Sequence, residues 1–392
     1  KEIIEILNFK NNEKKLKINE EKTLINNNSN NEKKDNNYIK EDDIINVTNF
    51  KEERIDYTEF KNEKTEIINN WKFELDKTIW NYYSELKIPI LKGEIIELYN
   101  KICETADIEL RKKKKSLIKE IIKVKKGNYY FREKIFNDAA VQKQVVSITS
   151  DDGLKLSADE YTQQGEKSDM WVIVVHGYKS HRHKEAPQNI TATYLEQGYQ
   201  VLAPDHRAHG ESEGKFIGMG YLERKDIVNW IEYILDKNPN AKISLHGVSM
   251  GGATVIMVSG EPLPPNVYAI VEDSGYTSAW EEFESELKYL YHLPTFPVLN
   301  MADVMSRIRA GYALKDASCV PMLQNTTVPM LFIHGDKDSF VPFYMLEQNY
   351  QAYTRDTKEK LIVHGAGHVQ SYLLEPEKYW DTVFQFLKKY QG

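Results

Sequence analysis

A serine hydroxyl is a weak nucleophile until a base takes its proton and the backbone holds it clear of its surroundings. The run Gly247-Val248-Ser249-Met250-Gly251-Gly252 has the residue types for that presentation. A tight turn from strand to helix exposes the serine but crowds its neighbours, and glycine two residues before and two after relieves the clash. The flanks agree with such a turn: Ile243 to Leu245 is a short apolar strand pattern, and Ala253 to Val258 falls in a helical one. At ~7% glycine usage the bare pattern arises about once in ten chains of this length, so the strand–turn–helix context carries the assignment.

Two further runs could supply the base and the group that orients it. His334-Gly335-Asp336-Lys337-Asp338-Ser339-Phe340-Val341-Pro342 follows one apolar strand, and His364-Gly365-Ala366-Gly367-His368 follows another. With Ser249 they give the chain order Ser, Asp, His, which is the order of the α/β-hydrolases. The chain resembles that family over about residues 141–392. It is most similar to the bacterial serine hydrolases with a small helical cap, a group of esterases, thioesterases and serine aminopeptidase-like enzymes. The resemblance implies Ser249 as nucleophile, His368 as general base and Asp338 as the acid of an H-G-x-x-D-x-x-V-P pattern. Asp336 is the rival acid, with the alternative role of a turn residue accepting from nearby amides. Asp273, in Glu272-Asp273-Ser274-Gly275, is a further alternative, because some hydrolases place their acid there. His176-Gly177-Tyr178 resembles the family's H-G motif, which implies the backbone N–H groups of Tyr178 and Met250 as oxyanion donors. Losing one such donor costs ~2.7–4 kcal/mol in the barrier. Asp205 to Ser212 resembles the family's D-x-R-G-x-G-x-S loop, with Ala208 in place of the first glycine; Asp205 and Arg207 are expected to fix its turn.

The other histidines have plainer readings. His181 and His183 flank Arg182 and could suggest a metal pair, but no carboxylate or cysteine stands at a supporting spacing, so an exposed basic loop is expected. His246 precedes the serine turn and is expected to be a hydrogen-bonded histidine at a strand end.

These groups lie far apart in the chain, so a scaffold must gather them. Gln144 to Thr149 alternates, and Asp152-Gly153 is a hairpin turn before Leu154 to Tyr161. Trp171 to Val175 is a continuous apolar run, as in a buried parallel strand. Val201 to Ala203, Ile243 to Leu245, Tyr268 to Val271, Met330 to Ile333 and Leu361 to Val363 are further strands. Between them Ala192 to Gln197 and Ala253 to Val258 fall in helices. Ile227, Trp230, Ile231, Ile234 and Leu235 recur at amphipathic spacing, as do Trp380, Val383, Phe384 and Leu387. Alternation of this kind predicts an α/β fold: a mostly parallel sheet with helices on both faces and its site at the carboxyl ends of the strands. Residues 276–325 are too long for a simple loop and predict a helical cap, whose Trp280, Phe283, Leu287, Tyr289, Leu290, Tyr291 and Phe296 either line an acyl or aryl pocket or pack the cap down.

Composition divides the chain of 392 residues near residue 140. Residues 1–140 hold 29 of the 52 Lys+Arg, 27 of the 59 Asp+Glu, two glycines, one proline and no histidine. Residues 141–392 therefore hold all ten histidines and carry a net −9 of the total −7. Chemistry is expected only in the second part. Residues 1–70, with 16 asparagines, form a low-complexity segment expected to be disordered. Residues 71–140 suggest a small helical region of unassigned role. Within it, the basic amphipathic stretch 111–126 could bind nucleic acid or an anionic membrane, or simply be a solvated helix face. Cys103 and Cys319 make no disulfide framework. Lys1 to Lys10 lacks the apolar core of a signal peptide and no apolar run spans a membrane, as expected of a cytoplasmic chain. The acidic balance disfavours nucleic acid as the main partner. The expectation is a serine hydrolase without cofactor or metal acting on small ester or thioester substrates. A peptidase on short peptides and a hydrolase fold kept as a binding module are the alternatives.

Overall fold

The structure is a computed structural model that describes residues 127, 128, 130–163 and 168–391. The low-complexity segment 1–70, the helices expected over 71–126 and the basic stretch 111–126 lie outside the described residues. Strands β1 (Val141–Thr149) and β2 (Lys155–Gln163) form a hairpin, closed at Gly153 with φ 85°. Six further strands follow: β3 (Met170–Val175), β4 (Gln200–Pro204), β5 (Lys242–Val248), β6 (Val267–Asp273), β7 (Met330–Gly335) and β8 (Lys358–Val363). The sheet order is β1-β2-β4-β3-β5-β6-β7-β8, with β1 and β2 antiparallel and every pair from β4 onward parallel.

Helices α1 (Glu185–Glu196), α2 (Glu223–Lys237), α3 (Met250–Val258), α7 (Tyr344–Ala352) and α9 (Pro376–Tyr390) flank the sheet, and α8 (Ser371–Leu374) is a single turn before α9. Both faces are covered, which explains the continuous apolar run of β3. Trp171, Ile173 and Val175 of β3 join a core with Trp230, Ile231 and Ile234 of α2 and with α3. Val172 and Val174, between them, join the opposite core with Ile190 and Tyr194 of α1 and Val383 and Phe386 of α9. The folded unit also reaches back before residue 141: helical residues 130–136 bury Ile135 in the second core, and Arg132 donates to Asn189 at 2.6 Å.

Between β6 and β7 stand α4 (Ala279–Tyr291), α5 (Thr295–Ala310) and α6 (Val320–Asn325). Helix α4 starts at Ser278, whose hydroxyl accepts from the Glu281 N–H, and α5 stops at Gly311 with φ 77°. Helices α4 and α5 pack on each other, while α6 packs on α3 and α7. Trp280 and Phe283 pack against the first core. Tyr291 and Phe296 do not pack the cap down: they are 65% and 74% exposed.

The His181–His183 loop is not the exposed basic loop expected from its sequence. Arg182 is buried and forks onto three carboxylates from separate segments: Asp159 of β2, Asp205 after β4, and Glu211. Asp205 also accepts from the Arg182 and Glu211 N–H groups, at 2.8 and 2.9 Å. The neighbouring Arg207 pairs with Asp226 and Asp152. These contacts pin the segment after β3 that carries Tyr178. Replacing Arg182 with Met leaves Asp159 and Asp205 short of their buried counter-charge, and removing one partner of such a pair costs ~3–5 kcal/mol. Urea unfolding of Arg182→Met is expected to show a loss of that order, and a loss under about 1 kcal/mol would contradict it.

Candidate active site

Ser249 stands between β5 and α3 at φ 58° and ψ −123°, a conformation that L-residues rarely adopt. The turn persists because the glycines around it admit close backbone contact. A Cβ on Gly247 would lie 2.1 Å from the Gly251 carbonyl oxygen, and one on Gly251 would lie 2.1 Å from that of Val175. The Ser249 N–H donates to the Asp273 carbonyl at 2.8 Å, tying the turn to β6.

Three loops at the carboxyl ends of β5, β7 and β8 then meet. His368 Nε2 is 2.8 Å from Ser249 Oγ, and His368 Nδ1 is 2.8 Å from Asp338 Oδ2. With the Nδ1–H donating a hydrogen bond to the carboxylate, Nε2 is left to accept from the serine hydroxyl. Asp338 is buried, and its Oδ1 accepts from the N–H groups of Phe340 and Val341, each at 3.0 Å. His334 Nε2 also approaches Asp338 Oδ2 at 3.1 Å. Burial alone would raise this carboxyl, but the charge of His368 and the hydrogen bonds from His334 and His368 outweigh it and hold it at about 2. The Phe340 ring packs 4.9 Å from the His368 ring.

The rival carboxylates point elsewhere. Asp336 accepts from the Gly365 N–H at 2.7 Å and meets His364 Nδ1 at 3.0 Å, as a turn residue does. Asp273 is buried behind the serine turn, where it accepts from the hydroxyls of Ser274 and Tyr379. Ser274, itself at φ 60°, also accepts from the Val369 N–H at 3.4 Å and so links β6 to the His368 loop.

Tyr178 and Met250 belong to the two segments that adjoin the serine. A Cβ on Gly177 would lie 3.1 Å from Ser249 Cβ, so the loop after β3 lies against the turn. Met250 opens α3, where backbone N–H groups and the helix dipole face forward. Among the described residues no acceptor takes either N–H.

Of the remaining histidines, His176, His206, His209, His246 and His334 are buried, while His292 is exposed at the end of α4. His246 lies between the hydroxyls of Tyr194 and Tyr379, at 3.0 and 3.1 Å. Burial lowers His246 and His176 to about 3, so both are neutral. His183 Nε2 contacts Asp159 Oδ2 at 2.8 Å, a carboxylate brought from β2 that spacing within the loop could not reveal. Among the described residues no group of three or more His, Cys, Asp or Glu is arranged to hold a metal ion. Nor is any described helix long and apolar enough to cross a membrane.

Comparison with known proteins agrees with this architecture. The family model described as serine aminopeptidase, S33, matches residues 166–282. That range holds the serine turn but not Asp338 or His368. The uncharacterised protein YqkD of Bacillus subtilis is 30% identical over 195 residues, which cover 50% of this chain and 64% of YqkD. The monoacylglycerol lipase of Mycolicibacterium smegmatis is 27% identical over 224 residues, 48% of this chain and 77% of that protein. Among solved structures, the Pyrococcus furiosus esterase Pf2001 aligns with TM-score 0.54 and 26% identity, covering 66% of this chain and 96% of its own. Est1E of Butyrivibrio proteoclasticus, solved with ferulic acid, shares the fold at TM-score 0.51 and 21% identity, covering 62% of this chain and 98% of its own.

Two stability tests follow from the geometry. Gly251→Ala drives a methyl group into the Val175 and His176 carbonyls, at 2.1 and 2.6 Å. It is expected to cost ~3 kcal/mol or more in chemical denaturation. Gly252→Ala meets its nearest atom at 3.1 Å and is expected to cost far less; equal losses would contradict the turn geometry. For Asp338, held at about 2 against ~3.9 in an unfolded chain, the stabilisation is fully present above pH 4 and is lost as pH falls towards 2. It amounts to about 2 kcal/mol, and Asp338→Asn is expected to flatten the stability profile over that window.

Proposed function

This chain is a member of the α/β-hydrolase superfamily, and from that premise we propose that it is a serine hydrolase cleaving ester or thioester bonds of small acyl substrates. The observation that carries the reading is the pair of 2.8 Å contacts that joins Asp338, His368 and Ser249 in one line. In this reading His368 Nε2 takes the Ser249 proton as Oγ attacks the substrate carbonyl. The N–H groups of Tyr178 and Met250 hold the oxyanion that develops. His368 returns the proton to the departing alcohol or thiol, leaving an acyl group on Ser249. Water, activated by the same imidazole, then releases the acid. Asp338 keeps the imidazole in the tautomer that the first step needs and stabilises the imidazolium that forms. Its carboxyl, held at about 2, stays ionised across the working range of such an enzyme.

The fold likeness to an esterase and the sequence likeness to a monoacylglycerol lipase support ester substrates. The match of residues 166–282 to a serine aminopeptidase family supports a second reading, peptidase action on short peptides, in which the leaving group is an amine.

A fluorophosphonate probe tests the nucleophile. The full chain is expected to take one label, and Ser249→Ala to take none. Asp338→Asn is expected to lower kcat/KM on a reactive ester by about 10²–10⁴, because the asparagine favours the wrong tautomer. Asp336→Asn is expected to stay within about threefold. Label retained by Ser249→Ala, or a larger loss in Asp336→Asn than in Asp338→Asn, would overturn the assignment.

A further inference from the structure

Helix α5 is turned the wrong way for a helix that serves only its own fold. Its inner face carries Leu299, Asp303, Ser306 and Ala310, two of them polar. Hydrogen bonds fix that orientation. Asp303 Oδ1 accepts from the Leu314 N–H at 2.8 Å, and the Ser306 hydroxyl donates to the Tyr312 carbonyl at 2.8 Å. Leu299 joins the first core. The opposite face, with Val298, Met301, Val304, Met305 and Ile308, is apolar and exposed, Met301 at 65% and Ile308 at 73%. Rolling α5 to bury that face would break both hydrogen bonds.

The apolar surface is too large to be incidental. Among the described residues, eight of the fourteen exposed large apolar or aromatic side chains lie between Tyr291 and Ile308. At about 150–250 Å² for a large side chain laid fully open, they expose on the order of 800 Å². The largest apolar patch of a monomer is about 300–600 Å², whereas one side of a standard protein interface is about 800 Å².

The pattern says what kind of surface fits. Val298, Met301, Met305 and Ile308 follow at steps of three, four and three residues, the a/d spacing of a helix-pairing seam. Arg309 borders the seam on one side and Asn300 and Arg307 on the other, so it is narrow. A helix lying on a lipid surface backs its apolar face with a polar face rich in Lys and Arg, whereas the far side of α5 is packed on the domain. The seam is also self-complementary. Val298 and Ile308 stand five residues either side of Asp303, and Met301 and Met305 two residues either side. A two-fold axis passing the helix at that level sets Val298 against Ile308 of a second copy, and Met301 against its Met305. Arg309 then meets Pro297, whereas a parallel pair would set Arg309 beside its own copy, like charge on like. The helix is already formed and held by the fold, so pairing carries no nucleation cost.

We propose that α5 is a dimerisation helix, through which two copies of the chain pair antiparallel in a two-fold symmetric contact. Closed two-fold dimers are the commonest homo-oligomers. The proposal does not depend on Ser249 or on what the site cleaves.

Sedimentation equilibrium of the full chain between about 1 and 100 µM is expected to give twice the chain mass at the upper end. Met301→Glu/Met305→Glu sets like charges face to face and is expected to raise the dissociation constant by about tenfold or more. Its circular dichroism spectrum is expected to stay unchanged, since both side chains are exposed. Met301→Glu/Met305→Lys tests the register. An antiparallel contact sets its opposite charges face to face and is expected to recover the dimer, while a parallel contact would set each charge against itself. A chain that stays monomeric throughout overturns the proposal, whether or not the monomer sediments with phosphatidylcholine vesicles. A dimer untouched by Met301→Glu/Met305→Glu overturns it as well, and failure of Met301→Glu/Met305→Lys to dimerise overturns the antiparallel register.

Discussion

A hydroxyl and an imidazole 119 residues apart in the chain meet at 2.8 Å, and everything else in the fold serves that contact. Neither partner can search for the other. Ser249 is locked by a backbone turn, and His368 is held by Asp338 on one side and by the loop after β8 on the other. The contact therefore depends on the relative height and spacing of β5, β7 and β8. A parallel sheet supplies this, since neighbouring strands run the same way and their carboxyl ends open on one edge. The two cores above and below make the sheet stiff enough to hold hydrogen-bond tolerances between loops.

That rigidity is set against local strain. Ser249, Ser274 and Val369 all have positive φ, at 58°, 60° and 52°, and all three surround the serine–histidine contact. Ala208 adds a fourth at φ 59°, where the family pattern has glycine. Each such residue costs of order 1–3 kcal/mol and survives only where its surroundings over-determine it. Here the surroundings are specific: the Asp273 carbonyl takes the Ser249 N–H, the Ser274 hydroxyl takes the Val369 N–H, and Asp273 in turn takes the Ser274 hydroxyl. Asp273 thus has a role, but behind the serine turn and not beside the imidazole.

What could be read from the chain follows from how local each feature is. The serine turn is written in six consecutive residues, because the clash that glycine relieves involves its own neighbours. Asp338 and His368 sit at strand ends that apolar runs make visible. The family pattern points to Asp338 rather than Asp336, and in the structure Asp336 is engaged by the Gly365 amide and His364. The burial of Arg182 is not legible locally, because its three carboxylates come from β2 and from two points after β4, so no window around it contains them. The exposure of Tyr291 and Phe296 is illegible in the chain for a related reason. Aromatic spacing tells which residues share a face, but not whether that face meets the body of the protein or solvent.

Glu282 and Glu286 mark the limit of that kind of reading. As sequence they are two of the four glutamates between Trp280 and Leu287, and an acidic helix is ordinarily a solvated one. Only the packing of α4 separates them from Glu281 and Glu284, which keep local partners. A helix stabilised for its own sake would reverse the arrangement, burying apolar side chains and leaving carboxylates to water. Phe283, half-buried against the core, shows that apolar packing was open to this segment.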